Sequence, residues 1–276
     1  MLARLKNKQI LIPFLVFLTL LIFGFSVWIV KDLYKSQHAN QTKTSTASSK
    51  PAATVDPTPA THINPTPPPP APFVGTPAEI AWGNRNKKQV IFTFDGGAGI
   101  QSAQAILDTL EKHKVKGTFF LTGSWISKNT DLTKQIAKKG YEIYNHTYNH
   151  PYLTQIPDAQ IISELKDTDD LVFSLTGKHT TPYFRPPYGA RTDHVRDVAA
   201  AQGYQSVYWT IDALDWKESS GETAAQVKDK ILQNLKPGTI YLMHIGDNIT
   251  GQILDEVFQQ IKAQGYSIVS LSQGIK

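Results

Sequence analysis

The chain has 276 residues, a net charge of +5 and no cysteine: length for one large domain plus extras, without disulfide bracing or thiol chemistry. The positive excess sits in residues 1–77, where Arg4, Lys6, Lys8, Lys31, Lys35, Lys43 and Lys50 face only Asp32 and Asp56. The remainder balances to zero, which excludes a basic nucleic-acid-binding domain.

Ile10 to Val30 is an apolar run with no charged residue. At about 1.5 Å per residue in a helix it spans the roughly 30 Å core of a bilayer. Arg4, Lys6 and Lys8 precede it and predict a cytoplasmic N-terminus. Residues 1–35 therefore read as a single-pass signal anchor in the cell membrane, with the rest of the chain outside. The alternative is a cleaved signal peptide and a secreted protein, but Lys31 and Asp32 follow at once and leave no small-x-small cleavage site. Residues 36–77 are Ser, Thr, Ala, Pro and Lys, ending in Pro65-Thr66-Pro67-Pro68-Pro69-Pro70. That composition buries too little apolar surface to fold and predicts a disordered linker, extended at about 3.1 Å per residue where prolines dominate. An anchor and stalk of this kind would carry a head, residues 78–276, into a cell wall.

Within the head, strand-like and helix-like stretches alternate. Val90–Phe94, Thr118–Leu121, Tyr141–Tyr144, Tyr183-Phe184, Ser206–Ile211, Thr239–Met243 and Ser267–Leu271 read as seven strands. Apolar stripes at helical spacing lie between them: Ile106, Leu107 and Leu110; Ile161, Ile162, Leu165 and Leu171; Ile253, Leu254, Val257, Phe258 and Ile261. The pattern predicts an α/β fold with a parallel sheet. Pattern alone leaves a closed barrel and an open doubly wound sheet both standing.

Five motifs punctuate the head: Phe94-Asp95-Gly96-Gly97, His146-Thr147-Tyr148-Asn149-His150, Arg185-Pro186-Pro187-Tyr188, Asp212-Ala213-Leu214-Asp215-Trp216 and Leu242-Met243-His244. Most directly follow a strand, where α/β barrels place their chemistry. His146 and His150, four apart, would share one face of a helical turn and close on one ion. Imidazole ligands suit Zn²⁺ first, with Co²⁺ or Ni²⁺ as alternatives. Tyr148, Tyr152 and Trp125 are aromatic candidates for sugar stacking, although residues so placed are as often packing.

Order and spacing of the five motifs resemble the polysaccharide deacetylases, the NodB-homology or carbohydrate esterase family 4 enzymes, over roughly residues 85–272. The resemblance implies a distorted (β/α)7-type barrel and metal-assisted removal of acetyl groups. It places Arg185 beside Asp95, which then serves as general base. The Tyr188 amide, first after two rigid prolines, would face the oxyanion. His244, partnered by Asp215, would protonate the leaving amine. Trp216 would line the groove, and Asp212 reads as a cap or loop carboxylate. Gly96 departs from the pattern: the resemblance expects a second Asp there, completing a two-His, one-carboxylate metal site. A carboxylate from elsewhere would have to replace it, with Asp247 a candidate by chain position.

The resulting expectation is a metal-dependent hydrolase that frees acetate from N-acetylhexosamines of a wall or surface polysaccharide, peptidoglycan foremost. Two rivals share these residues: an O-acetyl esterase on the same polymers, and a catalytically silent carbohydrate-binding envelope protein, which Gly96 favours.

Overall fold

A computed structural model describes residues 71–276. The expected anchor at Ile10–Val30 and the linker as far as residue 70 lie outside the described residues. Among the described residues no helix is long and apolar enough to cross a membrane. Residues 71–77 carry neither helix nor strand. They already touch the head, for the Phe73 N–H donates to the Ala200 carbonyl at 3.1 Å.

The strands are β1 (Gln89–Gly96), β2 (Thr118–Leu121), β3 (Glu142–Asn145), β4 (Tyr183–Phe184), β5 (Gln205–Ser206), β6 (Ile211–Asp212), β7 (Ile240–His244) and β8 (Ser267–Val269). Helices α1 (Ala103–His113), α2 (Gly123–Lys128), α3 (Thr130–Lys138), α4 (Asp158–Thr176), α5 (Asp193–Ala200), α6 (Ala224–Gln233), α7 (Ile249–Ala263) and α8 (Leu271–Gly274) alternate with them. The sheet order is β5-β4-β3-β2-β1-β7-β6, with β8 also on β1, and these neighbours all pair in parallel.

The stretch Ser206–Ile211, read from sequence as one strand, is a correction. Its two ends are β5 and β6, at opposite ends of the strand order. Seven strands laid flat would hold those edges about 29 Å apart at the usual 4.7–4.9 Å spacing. Five residue steps reach at most about 18 Å. The sheet must therefore curl on itself. The short crossing is secured where Val207 pairs with Ile80 and where the Thr210 N–H donates to the Ile240 carbonyl at 2.9 Å. The result is a partly closed parallel barrel of the expected kind, with eight strands among the described residues rather than seven. A continuous β-branched and aromatic run concealed the break, because both halves carry strand-like residues.

Side-chain alternation along the strands builds two layers. Val90, Phe92 and Phe94 of β1 join Phe119, Leu121, Tyr241 and Met243 in the cluster packed under α1 and α7. Ile91, Phe120 and Ile240 point the other way, with Tyr144, Val207 and Leu271. Asp95 follows the same alternation as Ile91 and Thr93, and His244 the same as Ile240 and Leu242. Both are therefore set on the barrel-interior face by period-two geometry alone.

The α7 stripe supplies buried Ile253, Leu254, Val257, Phe258 and Ile261 to the outer cluster. Phe258 is fully buried and meets Phe92 edge-on at 4.9 Å. Phe258→Ala should cost about 3–5 kcal/mol, as large-to-small core changes do. Urea denaturation monitored by far-UV circular dichroism measures it; a loss under about 1 kcal/mol would contradict this packing.

Candidate active site

The five motifs converge at the C-terminal ends of parallel strands. Asp95 and His244 are register partners on adjacent β1 and β7. Arg185 follows β4, and Asp215 follows β6.

Arg185 is fully buried in the barrel. Its Nη1 donates to Asp95 Oδ1 at 2.6 Å and to Thr93 Oγ1 at 2.8 Å, its Nη2 to the Tyr208 carbonyl at 3.1 Å, and its Nε to the Val207 carbonyl at 3.4 Å. The guanidinium also lies 4.1 Å above the Phe120 ring. Burial lowers its pKa from the usual arginine value, and the Asp95 charge works against that. Asp95 is thus held by one oxygen, leaving Oδ2 aimed at His146 Nε2 at 3.5 Å.

His146 and His150 meet, though not on a helix. The segment after β3 is a loop in which Thr147 (φ 66°) and His150 (φ 59°) take left-handed conformations. The expected shared helical face is therefore corrected to a tight turn. It is fixed where Asn145 Oδ1 accepts from the Thr147 N–H at 2.8 Å and Thr147 Oγ1 from the His150 N–H at 3.2 Å. The turn puts the two Nε2 atoms 3.1 Å apart. His146 Nδ1–H donates to the Arg185 carbonyl at 2.8 Å, so its Nε2 carries a free lone pair. Burial lowers both imidazole pKa values, that of His150 to about 4. Two neutral nitrogens this close fit a shared cation, since tetrahedral Zn²⁺ ligands at 2.0–2.1 Å lie about 3.3 Å apart.

His244 is tuned the opposite way. Its Nδ1 donates to Asp215 Oδ1 at 2.9 Å and its backbone N–H to Oδ2 at 2.6 Å. Asp215 is fully buried and also accepts from Thr250 Oγ1 at 2.5 Å. Burial pushes the Asp215 carboxyl up, but the His244 charge and these donors outweigh it and hold it below the usual value. Burial likewise lowers the imidazole; Asp215 overrides this and raises it to about 9.

A cleft of about 390 Å³ lies over these groups, lined by Asp95, His146, His150 and His244 with Pro186, Tyr188, Trp209, Asp212, Trp216 and Leu242. Trp216 is 49% exposed and is no core residue. Its Nε1–H donates to Asp212 Oδ2 at 3.3 Å, so Asp212 is a loop carboxylate that steadies the indole. Tyr188 is 57% exposed and meets His150 edge-on at 4.4 Å.

The profile of the polysaccharide deacetylase family matches residues 83–207. Over 189 residues, 68% of this chain and 72% of the relative, the chain is 34% identical to the peptidoglycan-N-acetylmuramic acid deacetylase PdaA of Bacillus subtilis. A peptidoglycan-N-acetylglucosamine deacetylase of Bacillus cereus is 34% identical over 193 residues, 68% of this chain and 69% of that protein. The chain belongs to the polysaccharide deacetylase family. Its structure is also similar to wild-type BA3943 of Bacillus anthracis, a pseudoenzyme of carbohydrate esterase family 4, with a TM-score of 0.69 and 31% identity. That match covers 73% of this chain and 70% of the other, and a mutant of BA3943 has restored enzymatic activity.

Two family expectations shift. The 96 position faces the helix layer: a Cβ on Gly96 would lie 2.7 Å from Leu121 Cδ2, 3.0 Å from Ile245 Cδ1 and 3.4 Å from Trp125 Cδ2. Asp247, offered as a substitute ligand, sits with Asp215 and His244, their ligating atoms within 4.8 Å of one another. His244 Nδ1 and Asp215 Oδ1 are hydrogen-bonded to each other at 2.9 Å, so a cation shared by this trio would compete with that pairing or use the second imidazole nitrogen. Burial and the Asp215 charge push the Asp247 carboxyl up to about 7.

Trp125, grouped with the sugar-stacking candidates, is buried and gives its Nε1–H to the Gly99 carbonyl at 3.0 Å. Tyr148 is half-buried, while Tyr152 is 45% exposed and stacks on Tyr188 at 4.0 Å. Pro186, expected only to stiffen the bend before Tyr188, lines the cleft, as does Trp209, to which sequence reasoning gave no role. Alternation from Val207 offered the one signal for Trp209.

The His244 shift fixes a pH window. Its folded-state pKa of about 9 lies above the ordinary 6.5, so its stabilising contribution is complete below about pH 6.5. That contribution disappears as pH rises through about 9. Asp215→Asn should flatten the decline in stability between pH 6.5 and 9 and move the His244 titration, read by NMR, down towards 6.5 or below. An unchanged titration would show that Asp215 is not its cause.

Proposed function

We propose that the chain is a metal-dependent deacetylase that removes N-acetyl groups from N-acetylhexosamine units of peptidoglycan, releasing acetate. One observation carries this reading: a carboxylate and an imidazole stand as register partners over one cleft, the first paired with buried Arg185 and the second with buried Asp215.

A divalent cation, Zn²⁺ first, held by His146 and His150 would supply Lewis acidity and a more acidic attacking water. Asp95 Oδ2 accepts the water proton, with Arg185 fixing the carboxylate's aim. The Tyr188 amide, carried on the rigid Pro186-Pro187 bend, faces the developing oxyanion. His244, charged up to about pH 9, gives its proton to the departing amine, which is a poor leaving group without it. Trp216 closes the cleft against the acetyl group or sugar ring. The peptidoglycan deacetylases among the relatives support the polymer. The apolar run Ile10–Val30 and the Lys/Arg residues before it support a membrane-anchored, outward-facing head.

A second reading is favoured by Gly96 and by the likeness to a pseudoenzyme: a silent glycan-binding protein of the envelope. Acetate release and zinc content, measured on one sample with peptidoglycan and with N-acetylglucosamine oligomers, separate the two. Zinc-dependent release, abolished by a chelator and lowered about 10²–10⁴-fold by Asp95→Asn, supports the deacetylase. No release from the wild type, with release from Gly96→Asp, would establish the silent protein instead. Release confined to O-acetylated polymer would make it an esterase.

A further inference from the structure

Buried Glu164 has no part in the chemistry above, yet its carboxylate closes on the loop that carries His150. It lies in α4, 4% exposed. Its Oε2 accepts the backbone N–H groups of Tyr148 at 2.8 Å and Asn149 at 2.7 Å, and its Oε1 accepts Asn149 Nδ2 at 2.8 Å. Two successive amides converging on one oxygen form an anion-binding concavity, here filled by the protein's own carboxylate. The next residue of α4 anchors the start of the same loop, where the Leu165 carbonyl accepts from Asn145 Nδ2 at 2.8 Å.

We infer that Glu164 is a positioning residue for the imidazole pair, setting His150 against His146 by clamping the two amides that precede it. The inference rests on the reading of that pair as a metal site. Thr147 and His150 hold left-handed backbone conformations, which are strained for residues with a side chain and persist only where surroundings enforce them. Hydrogen bonds from Asn145 and Thr147 constrain the two ends of the turn. In its middle the Thr147 and Tyr148 carbonyls accept from the Gly123 and Ser124 N–H groups at 3.0 and 2.9 Å, and Glu164 holds the amide side, at Tyr148 and Asn149. Without that clamp the turn relaxes, and the Nε2 atoms lose the 3.1 Å separation that suits one cation.

Two conservative variants separate geometry from charge. Glu164→Gln keeps the reach, and its amide oxygen can accept both backbone N–H groups while the exposed Asn149 side chain turns to accept from its NH₂. Glu164→Asp keeps the charge but withdraws the carboxylate by about 1.5 Å, beyond hydrogen-bond distance of both amides. Zinc binding by the full chain, read by calorimetry, should stay near wild type in Glu164→Gln and weaken about 10–100-fold in Glu164→Asp. Hydrogen exchange at the Tyr148 and Asn149 amides should accelerate in Glu164→Asp alone. Phe258→Ala, destabilised far from the loop, should keep its zinc affinity.

Wild-type affinity and protection in Glu164→Asp would overturn the inference. So would a loss in Glu164→Gln as large as in Glu164→Asp, which would assign the effect to charge, or an equal zinc loss in Phe258→Ala. If the wild type takes up no zinc, the metal reading falls. Amide exchange then decides the clamp by itself.

Discussion

The fold is organised around one buried ion pair at the floor of the cleft. Arg185 crosses the barrel interior to Asp95, and four guanidinium N–H donations are satisfied there by Asp95, Thr93, Val207 and Tyr208. A buried charge pair of this kind contributes little net stability compared with apolar packing. Removing one member is another matter, costing about 3–5 kcal/mol through the partner left unpaired. The pair therefore fixes geometry more than it stabilises the fold. It ties β1 to the crossing between β5 and β6, where the barrel closes, and the Arg185 carbonyl also orients His146. One residue couples closure of the barrel to the aim of a carboxylate and an imidazole.

Around that pair a single cleft holds imidazoles tuned in opposite directions. His146 and His150 lack an anionic partner strong enough to offset burial and are pushed towards neutrality, the form in which nitrogen binds a cation. His244 has Asp215 directly on Nδ1 and is pushed towards the charged form, which can donate a proton. Divergent tuning of neighbouring titratable groups is how a site divides acid and base roles. Asp247 extends the argument: the charge that raises His244 also suppresses ionisation of the next carboxyl in the cluster.

Much of this was legible in the sequence, and the failures have physical causes. Asp95 and His244 could be placed because strand ends in a parallel α/β fold collect on one side. The α7 stripe could be read because Ile253, Val257 and Ile261 repeat at helical spacing. The break within Ser206–Ile211 was hidden because strand propensity records side-chain shape, not which edge a strand joins. The His146–His150 spacing suggested a helical turn, whereas left-handed Thr147 and His150 bring the rings together without one. Glu164 was invisible as a loop anchor, because it is joined to residues 148 and 149 only by tertiary packing.

Gly96 shows how backbone alternation limits motif reasoning. The family resemblance expects a second Asp ligand at residue 96, directly after Asp95. In the β1 pleat the two positions face opposite layers: Asp95 points to the cleft, whereas a Cβ at 96 meets Leu121, Ile245 and Trp125. Leu121 and Ile245 present flexible methyl ends there, so they can give way to a larger residue at some packing cost. A carboxylate at 96 would then have to turn back over the strand end to reach the imidazoles. With glycine no side chain enters that apolar layer, and in the proposed mechanism His146 and His150 would supply the cation-facing nitrogens while Asp95 would keep one oxygen for a proton. Its other oxygen is already committed to Arg185, so Asp95 cannot become a bidentate ligand without breaking the ion pair at the centre of the barrel.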